Sequence, residues 1–86
     1  MIDSSFNILV KVYGRVQGVG FRAWIKKNAC KLSLTGWVKN CNDNTVECEV
    51  SGRGKDLDIF LKECEKGPLL SNVKKISFKK NSFKKF

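Results

Sequence analysis

FNILVKVYGRVQGVGFRAWIKKNACKL, residues 6–32, changes its hydrophobic period half-way along. Phe6, Ile8, Val10 and Val12 alternate with polar or outward positions, the period of a half-buried strand. Gly14 to Gly20 interrupts it, and from Phe21 the apolar residues Phe21, Trp24, Ile25, Ala29 and Leu32 return at helical spacing while Lys26, Lys27 and Lys31 project elsewhere. The stretch therefore predicts a strand, a glycine-rich turn and a helix over 21–32. Leu34 to Asn40 reads as a second strand. Asn42-Asp43-Asn44 supplies turn residues before Val46, Cys48 and Val50 alternate, which makes a hairpin. Gly52 and Gly54 are expected to break the third strand, and Asp56 to cap or open a helix carrying Leu57, Phe60, Leu61 and Cys64 at i, i+3, i+4 and i+7. Gly67-Pro68 ends that helix. Val73, Ile76 and Phe78 mark a fourth strand, and the tail NSFKKF is expected to add a short edge strand or to fray. The order is βαββαβ, an α+β, ferredoxin-like arrangement in which an antiparallel four-stranded sheet carries both helices on one face.

Length and composition bound what such a domain does. Eighty-six residues make a single domain over 1–86, and 42% apolar residues are enough for a core without disulfide staples. The longest apolar runs, such as Ile8-Leu9-Val10, fall far short of a membrane span, and Asp3 stands where a secretory signal would be basic. The expectation is a cytoplasmic monomer with no membrane partner. Cys30, Cys41, Cys48 and Cys64 stand 11, 7 and 16 positions apart, with no C-x-x-C and no histidine anywhere, so neither a zinc site nor a thioredoxin-type pair fits. They are read as free thiols, with Cys48 and Cys64 in the core. Whatever chemistry the chain performs proceeds without imidazole. Seventeen Lys and Arg against eight Asp and Glu leave a net charge of +9, which favours anionic partners without choosing among them.

The choice is made at Gly14-Arg15-Val16-Gln17-Gly18-Val19-Gly20-Phe21-Arg22. Its glycines let the backbone turn sharply and gather N–H groups, and the following helix adds unsatisfied donors and its positive dipole end. Such a concavity suits a phosphate, and Arg22 adds a planar fork of donors. Two nucleotide signatures fail here: Phe21 follows Gly20 where a P-loop needs lysine, and Ala23 occupies the third glycine of the dinucleotide pattern.

GRVQGVGFR at 14–22, followed by Gly36-Trp37-Val38-Lys39-Asn40 with Asn40 standing 18 residues after Arg22, resembles the acylphosphatase family. The resemblance extends through Thr45-Val46 and Gly67-Pro68 to Val73. It departs at the hairpin Asn42-Asp43-Asn44, which lacks a glycine, at Leu69, where a second proline is frequent, and at Phe83 to Phe86. The resemblance implies hydrolysis of acyl phosphates to a carboxylate and inorganic phosphate, with no metal and no cofactor. It makes Arg22 the phosphate-binding catalytic arginine and Asn40 the residue that orients water. It also makes the amides of Arg15, Val16, Gln17, Gly18, Val19 and Gly20 the phosphate cradle.

Trp24 and Trp37 are expected to pack in or around the core, and Lys39 either to attract anions or to face solvent. The alternative function is a non-catalytic or partner-dependent module of the same fold that binds phosphate or nucleic acid. An RNA-binding sheet of the RRM type stacks bases on strand aromatics, and TVECEVSG, the third strand, has none, so no specific nucleic-acid partner is expected. Domains of this kind also begin the larger carbamoyltransferases of hydrogenase maturation, but the reading here is of a stand-alone enzyme.

Overall fold

The computed structural model describes residues 4–86. Its elements are β1 (Ser5–Arg15), α1 (Phe21–Lys31), β2 (Thr35–Asn40), β3 (Val46–Arg53), α2 (Gly54–Lys66) and β4 (Asn72–Ser82). The strands form one antiparallel sheet in the order β2-β3-β1-β4. This is the βαββαβ order that the change of period implied.

Alternation places the core. Ile8, Val10 and Val12 of β1 and Val46, Cys48 and Val50 of β3 point to one side of the sheet and are buried there against Phe21 and Ile25 of α1 and Leu57, Phe60 and Cys64 of α2. Phe60 has no exposed surface. Burying an aromatic of this size contributes on the order of 2–3 kcal/mol before entropy is counted. The two helices are joined by a hydrogen bond from the Trp24 indole N–H to the Glu63 carbonyl at 2.9 Å, so Trp24 packs half-buried between them. Asn28, on the buried side of α1, donates its amide to the Trp24 carbonyl.

The other sheet face carries charge. Lys11 pairs with Asp43 at 2.9 Å, and Lys39 with Glu47 at 3.7 Å. Trp37 also lies there, donating its indole N–H to Glu49 at 2.9 Å, and is 37% exposed, so it is not a core residue.

One expectation is corrected. Gly52 does not break the third strand: β3 runs through it to Arg53 and α2 starts at once at Gly54. Its missing side chain makes room for Leu34, whose Cδ2 a Cβ would overlap. Phe78, opposite Val10 and on the same face, stays 56% exposed because β4 is an edge strand. Asn81 and Ser82 continue β4, whereas 83–86 leave the sheet and Lys84 turns back to Glu49 at 3.5 Å. Cys48 and Cys64 are buried as free thiols; the Cys48 sulfur beside it and burial hold the Cys64 thiol protonated.

Gly36 shows how tightly β2 lies on its neighbour, since a Cβ there would run into the Glu49 carbonyl oxygen of β3. Gly36→Ala is therefore expected to cost about 3 kcal/mol, a fall of ~12–24 °C in Tm for a domain of this size, measurable by thermal denaturation.

Candidate functional site

The loop of residues 16–20 joins β1 to α1 and is pinned at both ends by apolar side chains. Val16 and Phe21 are each 1% exposed in the core. Between them Gly18 and Gly20 have φ of +73° and +81°, left-handed values that a side chain would strain. A Cβ at either position would meet nothing within 4 Å, so these glycines serve the backbone conformation and leave open space over the loop.

That conformation has an electrostatic consequence. Gly20 is the N-cap of α1 and offers no side-chain acceptor, and the first turn contains no acidic residue. The first well-formed backbone hydrogen bond of the helix runs from the Trp24 N–H to the Gly20 carbonyl at 3.1 Å. Among the described residues, the N–H groups of 17–23 make no well-formed backbone hydrogen bond ahead of it. Unpaired donors at a helix N-terminus favour an anion.

A cleft of about 190 Å³ opens at this point, lined by Val16, Gly18, Gly20, Phe21, Arg22, Ala23 and Asn40. Arg22 enters from the first turn of α1 and Asn40 from the last residue of β2. The chain thus brings together Val16, Gly18, Gly20, Arg22 and Asn40. Arg15 sits exposed at the end of β1 opposite Asn72 and does not line the cleft, nor do Gln17 and Val19. Lys39 points the other way, to Glu47. A second groove of about 260 Å³ between α1 and β2 is walled mainly by hydrocarbon from Ile25, Ala29, Leu34, Val38 and Val50, so the smaller cleft is the one equipped for an anion.

Gln17 is the contact that sequence reasoning missed. Its side-chain amide donates to the carbonyls of Cys41 and Thr45, both at 2.8 Å, tying the loop to the β2–β3 hairpin immediately beyond Asn40. The signal was a primary amide among small and apolar neighbours, but its acceptors lie 24 and 28 residues away. The hairpin itself is closed by the Cys41 N–H to the Thr45 carbonyl at 2.9 Å, with Asn44 in the left-handed region at φ +69° where a glycine is otherwise suited. Asp43 accepts from the Thr45 hydroxyl and backbone N–H and from Lys11. The Thr45 hydroxyl and the Lys11 ammonium hold its carboxyl down at about 2.

The fold that carries this cleft is shared with known proteins. The Acylphosphatase family model matches residues 8–86. An acylphosphatase of Clostridium acetobutylicum is 50% identical over 72 residues, 84% of this chain and 79% of the relative. The solved structure of an acylphosphatase from Coxiella burnetii superposes with a TM-score of 0.91 at 32% identity, covering 96% of this chain and 87% of the other. Full-length HypF, in its phosphate- and nucleotide-bound form, matches with a TM-score of 0.90 at 30% identity over 100% of this chain and 11% of that one.

Two outcomes follow for the loop and hairpin. Gln17→Ala, and equally the isosteric but donor-less Gln17→Glu at neutral pH, should each cost about 1–3 kcal/mol in urea denaturation, because two carbonyls lose their donor. Asp43 titrates lower folded than unfolded, so its contribution is complete above the ordinary carboxylate range and is lost as pH falls from there through about 2. Melting curves should therefore show a larger fall in Tm between about pH 5 and pH 2 for the native chain than for Asp43→Asn.

Proposed function

The chain belongs to the acylphosphatase family, and we propose that it hydrolyses the carboxyl–phosphate bond of acyl phosphates at the cleft between the loop of residues 16–20, Arg22 and Asn40. The observation that carries the assignment of the site is the convergence of Arg22 and Asn40 on one cleft at an uncapped helix N-terminus.

The reaction suits so sparse a site. The leaving carboxylate has a conjugate acid of pKa about 4, so it departs without a proton from the enzyme, and a chain with no histidine lacks nothing here. What remains is to hold the phosphoryl group, stabilise charge on its equatorial oxygens and place water in line. In this reading the N–H groups of Gly18, Gly20 and the first turn of α1 take the phosphoryl oxygens, and Arg22 adds a charge-assisted fork. Asn40 has no basic group. It orients water by accepting one hydrogen bond through its carbonyl while its amide donates to the anion. The water's proton passes late, to the substrate's own phosphate. Arg15 supports the end of the loop, Val16 anchors it and Gln17 sets its distance from the hairpin that carries Asn40; Gly18, Val19 and Gly20 give it shape.

The proposal extends to the rest of the chain. One domain over residues 1–86 serves this one site, residues 1–3 lying outside the described residues. No helix among the described residues is long and apolar enough to cross a membrane. We place the protein in the cytoplasm as a monomer acting on a small anionic substrate, without metal, cofactor or sequence-specific nucleic acid.

Inorganic phosphate released from benzoyl phosphate, with chelator present, tests the reading. Arg22→Ala is expected to lower kcat/KM by about 10²–10³-fold with a rise in KM, and Asn40→Ala to lower kcat with KM nearly unchanged. A rise in KM alone for Asn40→Ala would make that residue a substrate binder instead. Alkyl phosphate monoesters, whose leaving alkoxide is far more basic, should turn over poorly; equal rates for alkyl and acyl phosphates would sink the mechanism. Phosphate binding without turnover would favour the non-catalytic module.

A further inference from the structure

The last fourteen residues are a repeat that the hydrolytic site does not use: VKKIS at 73–77, FKKNS at 78–82 and FKKF at 83–86. They hold six of the seventeen basic residues, as pairs at 74–75, 79–80 and 84–85, and no acidic one. Only Lys84 of these six has a carboxylate partner among the described residues, Glu49. Asp43, Glu47 and Asp56 are paired elsewhere, with Lys11, Lys39 and Arg53. The largest share of the surplus charge thus lies along β4 and the tail, and β4 is an edge of the sheet with one neighbour, β1.

Rings are interleaved with these cations. Phe78, Phe83 and Phe86 are 56%, 51% and 48% exposed, and Lys80 lies over the Phe6 ring at 3.9 Å. A merely solvated lysine face has no need of three exposed phenylalanines. Lys80 and Phe83 also line, with Phe6, Asn81 and Ser82, an open cleft of about 720 Å³ at the end of the sheet away from Arg22 and Asn40.

Five is an odd number, so a strand turns successive repeats to opposite faces. Phe78 and Lys80 accordingly share the face of Val10 and Ile8, while Lys75 and Lys79 share that of Tyr13 and Leu9. A lipid surface is planar and rewards cations and rings gathered on one side. Here lysines lie on both sides of a narrow edge, with the Phe78 ring on one side and Lys75 over the Tyr13 ring at 5.1 Å on the other. That suits a flexible polyanion with flat bases that stack as its phosphates meet lysine. We propose that β4 and the tail form a docking edge for single-stranded nucleic acid, bound without sequence preference and independently of the hydrolytic cleft.

Fluorescence anisotropy of labelled oligo(dT) of about 20 nucleotides, titrated with the full chain, tests this. For about four phosphate contacts the affinity should fall about 50-fold between ~50 and ~200 mM salt. Lys79→Gln with Lys80→Gln should reduce the log–log salt slope by about 1.4. Phe83→Ala should weaken binding about 5-fold or more with the slope unchanged. Circular dichroism and the rate of benzoyl phosphate hydrolysis should stay at the native level in all these variants, so that a failure here leaves the enzymatic reading standing. Undiminished binding by the double lysine variant would overturn the proposal. Equal or tighter binding to a duplex of the same length, or binding only to phosphatidylserine vesicles, would overturn it as well.

Discussion

Backbone N–H groups without an acceptor are the constraint around which this chain is organised. Buried or confined donors must be paired with something, and most helices close their first turn with a capping side chain or an acid. Here Gly18 and Gly20 take left-handed conformations, the N-cap offers no side chain, and the first turn of α1 has no carboxylate, so the donors stay available over an open cleft. A serine or aspartate at position 20 would supply an internal acceptor and compete with any anion. Holding such a loop in place falls to its flanks: Val16 and Phe21 in the core, and the Gln17 amide on the hairpin.

The hairpin matters because Asn40, which lines the cleft opposite the loop and α1, hangs from it. Asn40 ends β2, the edge strand opposite β4, and an edge strand has a single neighbour to position it. Its position depends on the close approach at Gly36, on the turn in which Asn44 replaces glycine, and on the bonds from Gln17. Asp43 braces the turn from outside through Thr45 and Lys11. Stability and geometry are therefore coupled here: contacts that close the sheet also set the separation between an arginine on a helix and an asparagine on a strand. Phosphoryl transfer is sensitive to that separation, since most of what a protein contributes to it is positioning and charge.

Charge is partitioned in the same economical way. The carboxylates of the open sheet face and the hairpin are taken up by Lys11, Lys39 and Lys84. Among the described residues, unpaired positive charge also runs along α1, from Arg22 beside the cleft to Lys31, and along β4, an edge of the sheet. One net charge thus describes two separate surfaces, a small cleft beside Arg22 and an extended edge with aromatic rings.

Much of this was legible in the residues. Period two in β1 and β3, period 3.6 in α1 and α2, and glycine or Gly-Pro punctuation between them determined the order βαββαβ, because burial of one face acts locally along the chain. The glycine spacing around residues 14–20 likewise determined a sharp turn ahead of a helix N-terminus, and Arg22 and Asn40 were singled out by their motifs. Gly52 misled, since a glycine that admits a neighbouring leucine looks the same in sequence as one that ends a strand. How far Trp37 and Phe78 are exposed could not be read from the residues, because exposure on an open face or an edge depends on what fails to cover a side chain. The tertiary structure alone decided that Arg22 and Asn40 share a cleft, that Gln17 reaches carbonyls 24 and 28 residues away, and that Arg15 and Lys39 stand outside it. Periodicity reports which way a side chain faces from its own strand or helix; which distant backbone it then meets is set by strand order and register, and those exist only in the folded sheet.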